Sequence, residues 1–238
     1  MSISRNRVNP EPPANAGRSG GRRYGGVDSE ERQRQRRVKL VDAALVVFGN
    51  QGYHEATVRD VCKQAGLTSR YFYESFDSME ALYTAVFHAV NRDLMQAVVM
   101  ALAQCEPDPE KLSGASLRAF LEFVRADPLR ARVGLVDVFG VAGGSTHRLV
   151  DQAHNDFALL ISGFVRQMFP RIDETGIRID VIAKGLTGAN SRITTDWVNE
   201  RCKTPLEDVL ANMLWIYSAC LAQARIAHDA LPPKKPGA

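Results

Sequence analysis

The 238-residue chain holds only four cysteines, Cys62, Cys105, Cys202 and Cys220, and no two of them form a C-x-x-C pair. Their wide separation excludes zinc-finger spacing and leaves no disulfide framework for a chain of this size. No apolar run approaches the roughly 18 residues that cross a bilayer. The amino terminus has no apolar segment of the kind a secretory signal requires. There is no G-x-S-x-G, no phosphate-binding loop and no dinucleotide fingerprint, and the histidines lack a paired nucleophile or acid. These absences argue against an enzyme, a bound cofactor and a membrane protein, and they suit a reducing, cytosolic setting.

What is present is ordinary in amount and uneven in placement. With 45% hydrophobic and 24% charged residues the chain can bury a sizeable core. Residues 1–40 hold ten Arg and Lys against four Asp and Glu, so a net charge of +3 divides into a basic front and a mildly acidic body. A polyanionic partner for the front end follows from that asymmetry. Residues 1–31 are rich in Gly, Pro and Arg and poor in large apolar groups, which predicts a disordered arm. A short tail over 232–238 is read the same way.

From about residue 32 the apolar periodicity is helical, with no alternating strand-like run, so the expected class is all-α. Breakers and caps divide it into about nine helices. The first four fall near 34–50, 58–65, 69–75 and 78–104. The remainder fall near 114–126, 128–140, 146–169, 178–201 and 205–230, with "EPDPEKLSG" as a linker. The expected domains are a DNA-binding unit over 32–77 and a larger helical unit over 78–231.

The first three helices have a specific logic. Leu40, Ala44, Val47 and Phe48 make one apolar stripe, and Val58, Val61, Cys62 and Ala65 another. Gly66 supplies a residue that takes positive φ without strain between two crossed helices. Such a trio is a helix-turn-helix, whose last helix enters the DNA major groove. In the stretch "AGLTSRYFYESF" the aromatics sort by angle. Phe72 and Phe76 share one face with Leu67, whereas Arg70 and Glu74 point away and Ser69, Tyr71 and Tyr73 flank them. Arg can donate two bonds to guanine, and hydroxyls can bond phosphates or base edges. Thr57 and Thr68 are the expected N-caps, where a phosphate could sit. The plainer alternative is that Arg70 only pairs with Glu74 on a solvated surface.

The segment "KLVDAALVVFGNQGYHEATVRDVCKQAGLTSRYFYESFDSMEALYTAVF" resembles the N-terminal domain of the tetracycline-repressor (TetR-like) family of bacterial transcription regulators. The resemblance rests on A-A-L-x-x-F, G-Y-x-x-A-T-V, A-G-L-T and Y-x-x-F in register. It implies a two-fold dimer with one helix-turn-helix per subunit and a small-molecule pocket in each C-terminal domain. Carried over by position, Thr57, Thr68 and Tyr73 would hold the DNA backbone while Ser69, Arg70 and Tyr71 face bases. It also implies a bacterial, nucleoid-associated protein. Two departures stand out. Met79 occupies a position where the family commonly has a phosphate-binding lysine, and Arg70-Tyr71 replaces a small Gly-Thr pair. The basic run containing Arg36, Arg37 and Lys39 is expected to compensate through phosphate contacts.

In the last helix Leu206, Leu210, Met213, Tyr217 and Cys220 recur as a heptad seam. The preceding helix aligns Ile182, Leu186, Ala189 and Ile193. These are expected to form an intersubunit four-helix interface; the alternative is that both stripes face their own core. Phe120, Phe123, Val124, Phe139, Phe157, Ile161 and Phe164 are the candidate lining of an apolar effector pocket. His147, Asp151, His154 and Asn155 share a helix face, but that face lies opposite an apolar stripe, so solvent rather than a metal is expected there.

The reading that follows is a sequence-specific transcriptional regulator, a repressor that leaves a palindromic operator when a small apolar effector binds. A chromosome-organising DNA-binding protein without an effector is the alternative.

Overall fold

The computed structural model describes residues 23–136 and 144–233, and all of the regular structure among them is helical. Nine α-helices run in the order α1 (Arg23–Gln51), α2 (Val58–Ala65), α3 (Ser69–Tyr73), α4 (Met79–Ala103), α5 (Pro109–Ala126), α6 (Pro128–Ala131), α7 (Gly144–Met168), α8 (Ile179–Asn199) and α9 (Leu206–Asp229). A π-helical turn, Arg132–Val136, follows α6, and a 3-10 turn, Ile172–Thr175, follows α7.

Local chemistry accounts for most of these boundaries. Thr57 and Asp60 form a reciprocal capping box at the start of α2, which satisfies two donors that a helix start leaves open. Gly66 ends α2 at φ 65°, the left-handed region in which a side chain would be strained. Ser78 caps α4 by accepting from the Ala81 amide. An Asp-Pro pair opens a helix twice. Asp108 accepts from the Glu110 and Lys111 amides ahead of α5, and Asp127 does the same for Leu129 and Arg130 ahead of α6, each with proline at the first helical position. The expected linker over "EPDPEKLSG" is therefore partly helix, because Pro109 starts α5 rather than breaking a chain. Helix α1 begins at Arg23, well inside the expected arm, and ion pairing between Glu31 and Arg34 supports its early turns.

The first three helices share one core with α4. Leu40, Phe48, Val61, Phe72 and Phe76 pack with Leu82, Tyr83, Val86 and Phe87, and the same cluster takes in Val133 and Leu149. Phe72 is fully buried, so its truncation to alanine removes about 3–5 kcal/mol. Helix α1 is also tied to the π turn, since Arg132 donates to the carbonyls of Gly49 and Asn50 at its last turn. The Tyr83 hydroxyl donates to the Val133 carbonyl at 2.8 Å.

In the C-terminal part α5 packs on α4 and α9, and α7 on α8. A second core joins Leu117, Leu121 and Val124 of α5 to Leu206, Val209, Leu210, Met213 and Tyr217 of α9. Helix α9 is long and apolar enough to cross a membrane by length and composition. The reason is that it is apolar on two sides. One side faces α5, and the other exposes Trp215 and Ile226.

Candidate DNA-binding face and ligand cavity

Helix α3 is held from one side and free on the other. Phe72 and Phe76 are buried on the domain side, their rings 6.1 Å apart. Outward, Ser69 and Thr68 are exposed, the Arg70 side chain is 84% exposed and Tyr73 63%. Thr68 starts the helix with extended backbone, and its hydroxyl makes no capping bond. Thr57 differs. Its hydroxyl donates to Asp60 at 2.6 Å and accepts from the Asp60 amide, so it is already used twice. The Thr57 hydrogen bond, more than any other influence, holds the Asp60 carboxyl below its ordinary pKa.

Three side chains of α1 grip the carboxyl end of α3. Gln33 donates to the Glu74 carbonyl at 3.3 Å, and Arg37 donates to the Ser75 carbonyl while its guanidinium lies 4.0 Å from the centre of the Phe76 ring. Arg36 covers the Tyr71 ring at 4.5 Å and approaches Glu74 at 3.8 Å. Cationic groups at a helix carboxyl end also complement its partial negative charge. The sequence reading grouped Arg36 and Arg37 with the DNA contacts. Both touch α3 or the residues that follow it, the Arg36 side chain being 25% exposed, while Arg37 and Lys39 are exposed. Tyr71 is likewise half-buried under Arg36 rather than projecting.

Glu74 accepts from Arg70 Nε at 2.9 Å and faces Arg36 with its other oxygen. That bond uses Nε and keeps the two terminal guanidinium nitrogens as the fork that guanine O6 and N7 require. An exposed helix with a hydroxyl at its start, an arginine fork and a tyrosine, set on a buried trihelical core, defines the class: a helix-turn-helix DNA-binding domain. Residues 40–86 match the family model described as bacterial regulatory proteins, tetR family.

Similar proteins agree with this. The transcriptional activator FasR of Mycolicibacterium smegmatis is 32% identical over 93 residues, 39% of this chain and 42% of that protein. The regulator BetI of Agrobacterium fabrum is 35% identical over 78 residues, 33% of this chain and 38% of that protein. The chain thus spans about two fifths of the curated relatives it matches. In fold, FadR of Bacillus subtilis, solved with stearoyl-CoA, superposes at a TM-score of 0.65 with 16% identity, over 76% of this chain and 96% of that one. A TetR-like regulator from Rhodococcus sp. RHA1 gives 0.61 with 18% identity, over 79% and 96%.

A cavity of about 480 Å³ lies between α4, α5, α7, α8 and α9. Of the predicted lining, Phe120, Phe157, Ile161 and Phe164 face it, with Phe120 and Phe157 edge to face at 6.4 Å. Phe123 and Val124 do not. Phe123 lies beneath the Arg130 guanidinium at 5.6 Å, and Val124 is buried in the α5–α9 core. Phe139 lies outside the described residues.

His154 departs from the solvent reading of its helix face, which the exposed Asp151 and Asn155 follow. It lines the cavity, and burial lowers its pKa against a smaller opposing pull from Asp151. The side chain of His147 lies outside the described residues. Polar wall groups that periodicity alone did not reveal include the pair Asn190 and Tyr217, which bridge α8 and α9 at 2.7 Å. Burial pushes the Tyr217 phenol up to about 12.

The predicted dimer residues fall into two groups. Leu186, Leu206, Leu210, Met213 and Tyr217 are buried in the chain's own core, because that stripe of α9 meets α5. They cannot also form an intersubunit seam. Ile193 and Cys220 are partly buried against the same core, Ile182 is exposed and Ala189 is half-buried. The opposite side of α9 exposes Ala211, Trp215, Ser218, Ala222 and Ile226 at helical spacing, and α8 exposes Val181 and Gly185. Trp215 is 76% exposed.

Proposed function

We propose that the protein is a transcriptional regulator that binds a palindromic operator as a homodimer through α3 and is released by a small, largely apolar effector. The observation that carries the DNA reading is the division of α3 into a buried phenylalanine face and an exposed face with Thr68, Ser69, Arg70 and Tyr73. The cavity supports a ligand, which a chromosome-organising protein would not need. Repression is the proposed sense, in the cytoplasm at the chromosome.

The dimer is proposed on the exposed side of α9 with the adjoining face of α8. Trp215, Ile226 and Val181 there are large apolar groups in water. A Cβ added at Gly185 or Gly188 would meet nothing within 4 Å, so a second chain can approach closely. Two-fold pairing would set two recognition helices for half-sites roughly 34–36 Å apart. Effector binding would shift the population toward a spacing that no longer fits.

The experiment is selection of bound sequences from a random duplex pool, followed by footprinting with and without candidate effectors. A palindromic site that is vacated on effector addition supports the reading. Sequence-independent coverage opposes it.

A further inference from the structure

No Asp, Glu, Lys or Arg is found among the described residues lining the cavity. We propose that this cavity takes an uncharged lipophile with one hydrogen-bonding oxygen, such as a long-chain alcohol, and discriminates against carboxylates and phosphates. The inference rests on the effector reading above and names the chemical class of that ligand.

The argument starts from desolvation. An anion moved into an apolar cavity must recover its lost hydration from a cation or from several aimed donors. The described wall supplies no cation, and residues 136–147, whose side chains lie outside the description, include no Lys or Arg. His154, already lowered by burial, and the Tyr217 phenol, already raised, are both neutral near neutral pH. Most of the wall is hydrocarbon, including Leu94, Leu102, Phe157, Phe164 and Met168. Its volume falls within the roughly 300–1,000 Å³ typical of small-molecule sites.

The polar anchor is local and neutral. Asn190 Nδ2 donates to the Tyr217 oxygen, which keeps the phenolic O–H as a donor and the Asn190 carbonyl oxygen as an acceptor. A ligand hydroxyl can use both. Thr187 is not equivalent, because its hydroxyl donates to the Ala183 carbonyl of its own helix at 2.8 Å. Lining residues that are themselves exposed, Ile182, Ala219 and Gln223, mark where the cavity meets solvent between α8 and α9. A phosphate-bearing head group left at that mouth would meet no cation among those residues. An acyl-CoA, the ligand named for one protein of similar fold, is therefore the discriminating comparison.

The test is isothermal titration of the full-length protein with dodecan-1-ol, dodecanoate and dodecanoyl-CoA at mildly alkaline pH. The alcohol should bind at least about tenfold more tightly than either anion. Tyr217→Phe and Asn190→Ala, each checked for native circular dichroism, should weaken the alcohol by about three- to tenfold while leaving weak dodecanoate binding unchanged. Equal or tighter binding of either anion, or binding of none of the three, overturns the proposal. The effector reading fails separately: if the alcohol binds and operator DNA is retained, the ligand class stands and the release mechanism falls.

Discussion

Arg36 of α1 lies with its guanidinium 4.5 Å from the centre of the Tyr71 ring on α3, and the same side chain approaches Glu74. One residue of the first helix thus holds two side chains that follow Arg70, Tyr71 next to it and Glu74, which itself accepts from Arg70. A cation over a partly desolvated ring contributes about 1–2 kcal/mol. Arg36→Ala should therefore loosen α3 and weaken operator binding by a similar amount. Its salt dependence should stay unchanged, because a lost phosphate contact would lower the log–log slope by about 0.9 and a lost positioning contact would not. DNA titrations over a range of salt concentrations check this. A reduced slope would return Arg36 to the phosphate contacts.

At Gly49 α1 comes close to Leu129 of α6. A Cβ there would meet Leu129 Cβ at 2.6 Å and its Cα at 2.9 Å. Backbone cannot yield as a flexible side chain can, so Gly49→Ala should cost about 1–3 kcal/mol. Urea denaturation followed by helical circular dichroism measures it. Unaltered stability would mean that α6 does not sit as close to α1 as described.

How much of this was legible in the sequence depends on whether a residue's role is local. Thr57, Gly66 and Ser78 act within a few residues of themselves, and the boundaries they set were readable. Phe72 and Phe76 were readable because only one face of a short helix can meet the trihelical core. The side of α9 that turns inward was not. Both of its faces are apolar, and only the approach of α5 decides that Met213 is buried and Trp215 exposed. Arg36 is a similar case, since basic residues near DNA look alike until a ring at Tyr71 is brought beneath one of them. Pro109 was misread because the same residue that ends a helix also starts one when an aspartate precedes it.

The exposed face of α9 gives a clean test of the dimer. Trp215→Glu should yield a folded monomer by light scattering at micromolar concentration, with weakened operator binding, since Trp215 is 76% exposed in one chain. Met213→Glu should instead unfold the chain, because Met213 is fully buried. A wild-type protein that is monomeric under the same conditions would contradict the proposed interface.

His154 gives a pH dependence with a definite sign. Burial lowers its pKa in the folded chain, so on acidification the unfolded chain takes up the proton first. Its contribution to stability is therefore complete above the ordinary histidine range and is lost as pH falls through that range toward the lowered native value. Asp151 opposes the shift and makes it smaller. His154→Gln should reduce the loss of urea midpoint between about pH 8 and pH 5. An unchanged loss would place His154 in water rather than in the cavity wall.

The central claim is that the exposed side of α3 reads base edges, and Arg70 is where it is most directly tested. Operator sequences selected by the wild-type protein and by Arg70→Ala should be compared position by position, together with affinities for the wild-type site. The account predicts a loss of about 1–3 kcal/mol and relaxed preference at one position in each half-site. Weakening of all sequences by the same factor, with every preference retained, would mean that Arg70 touches only phosphate and would contradict it.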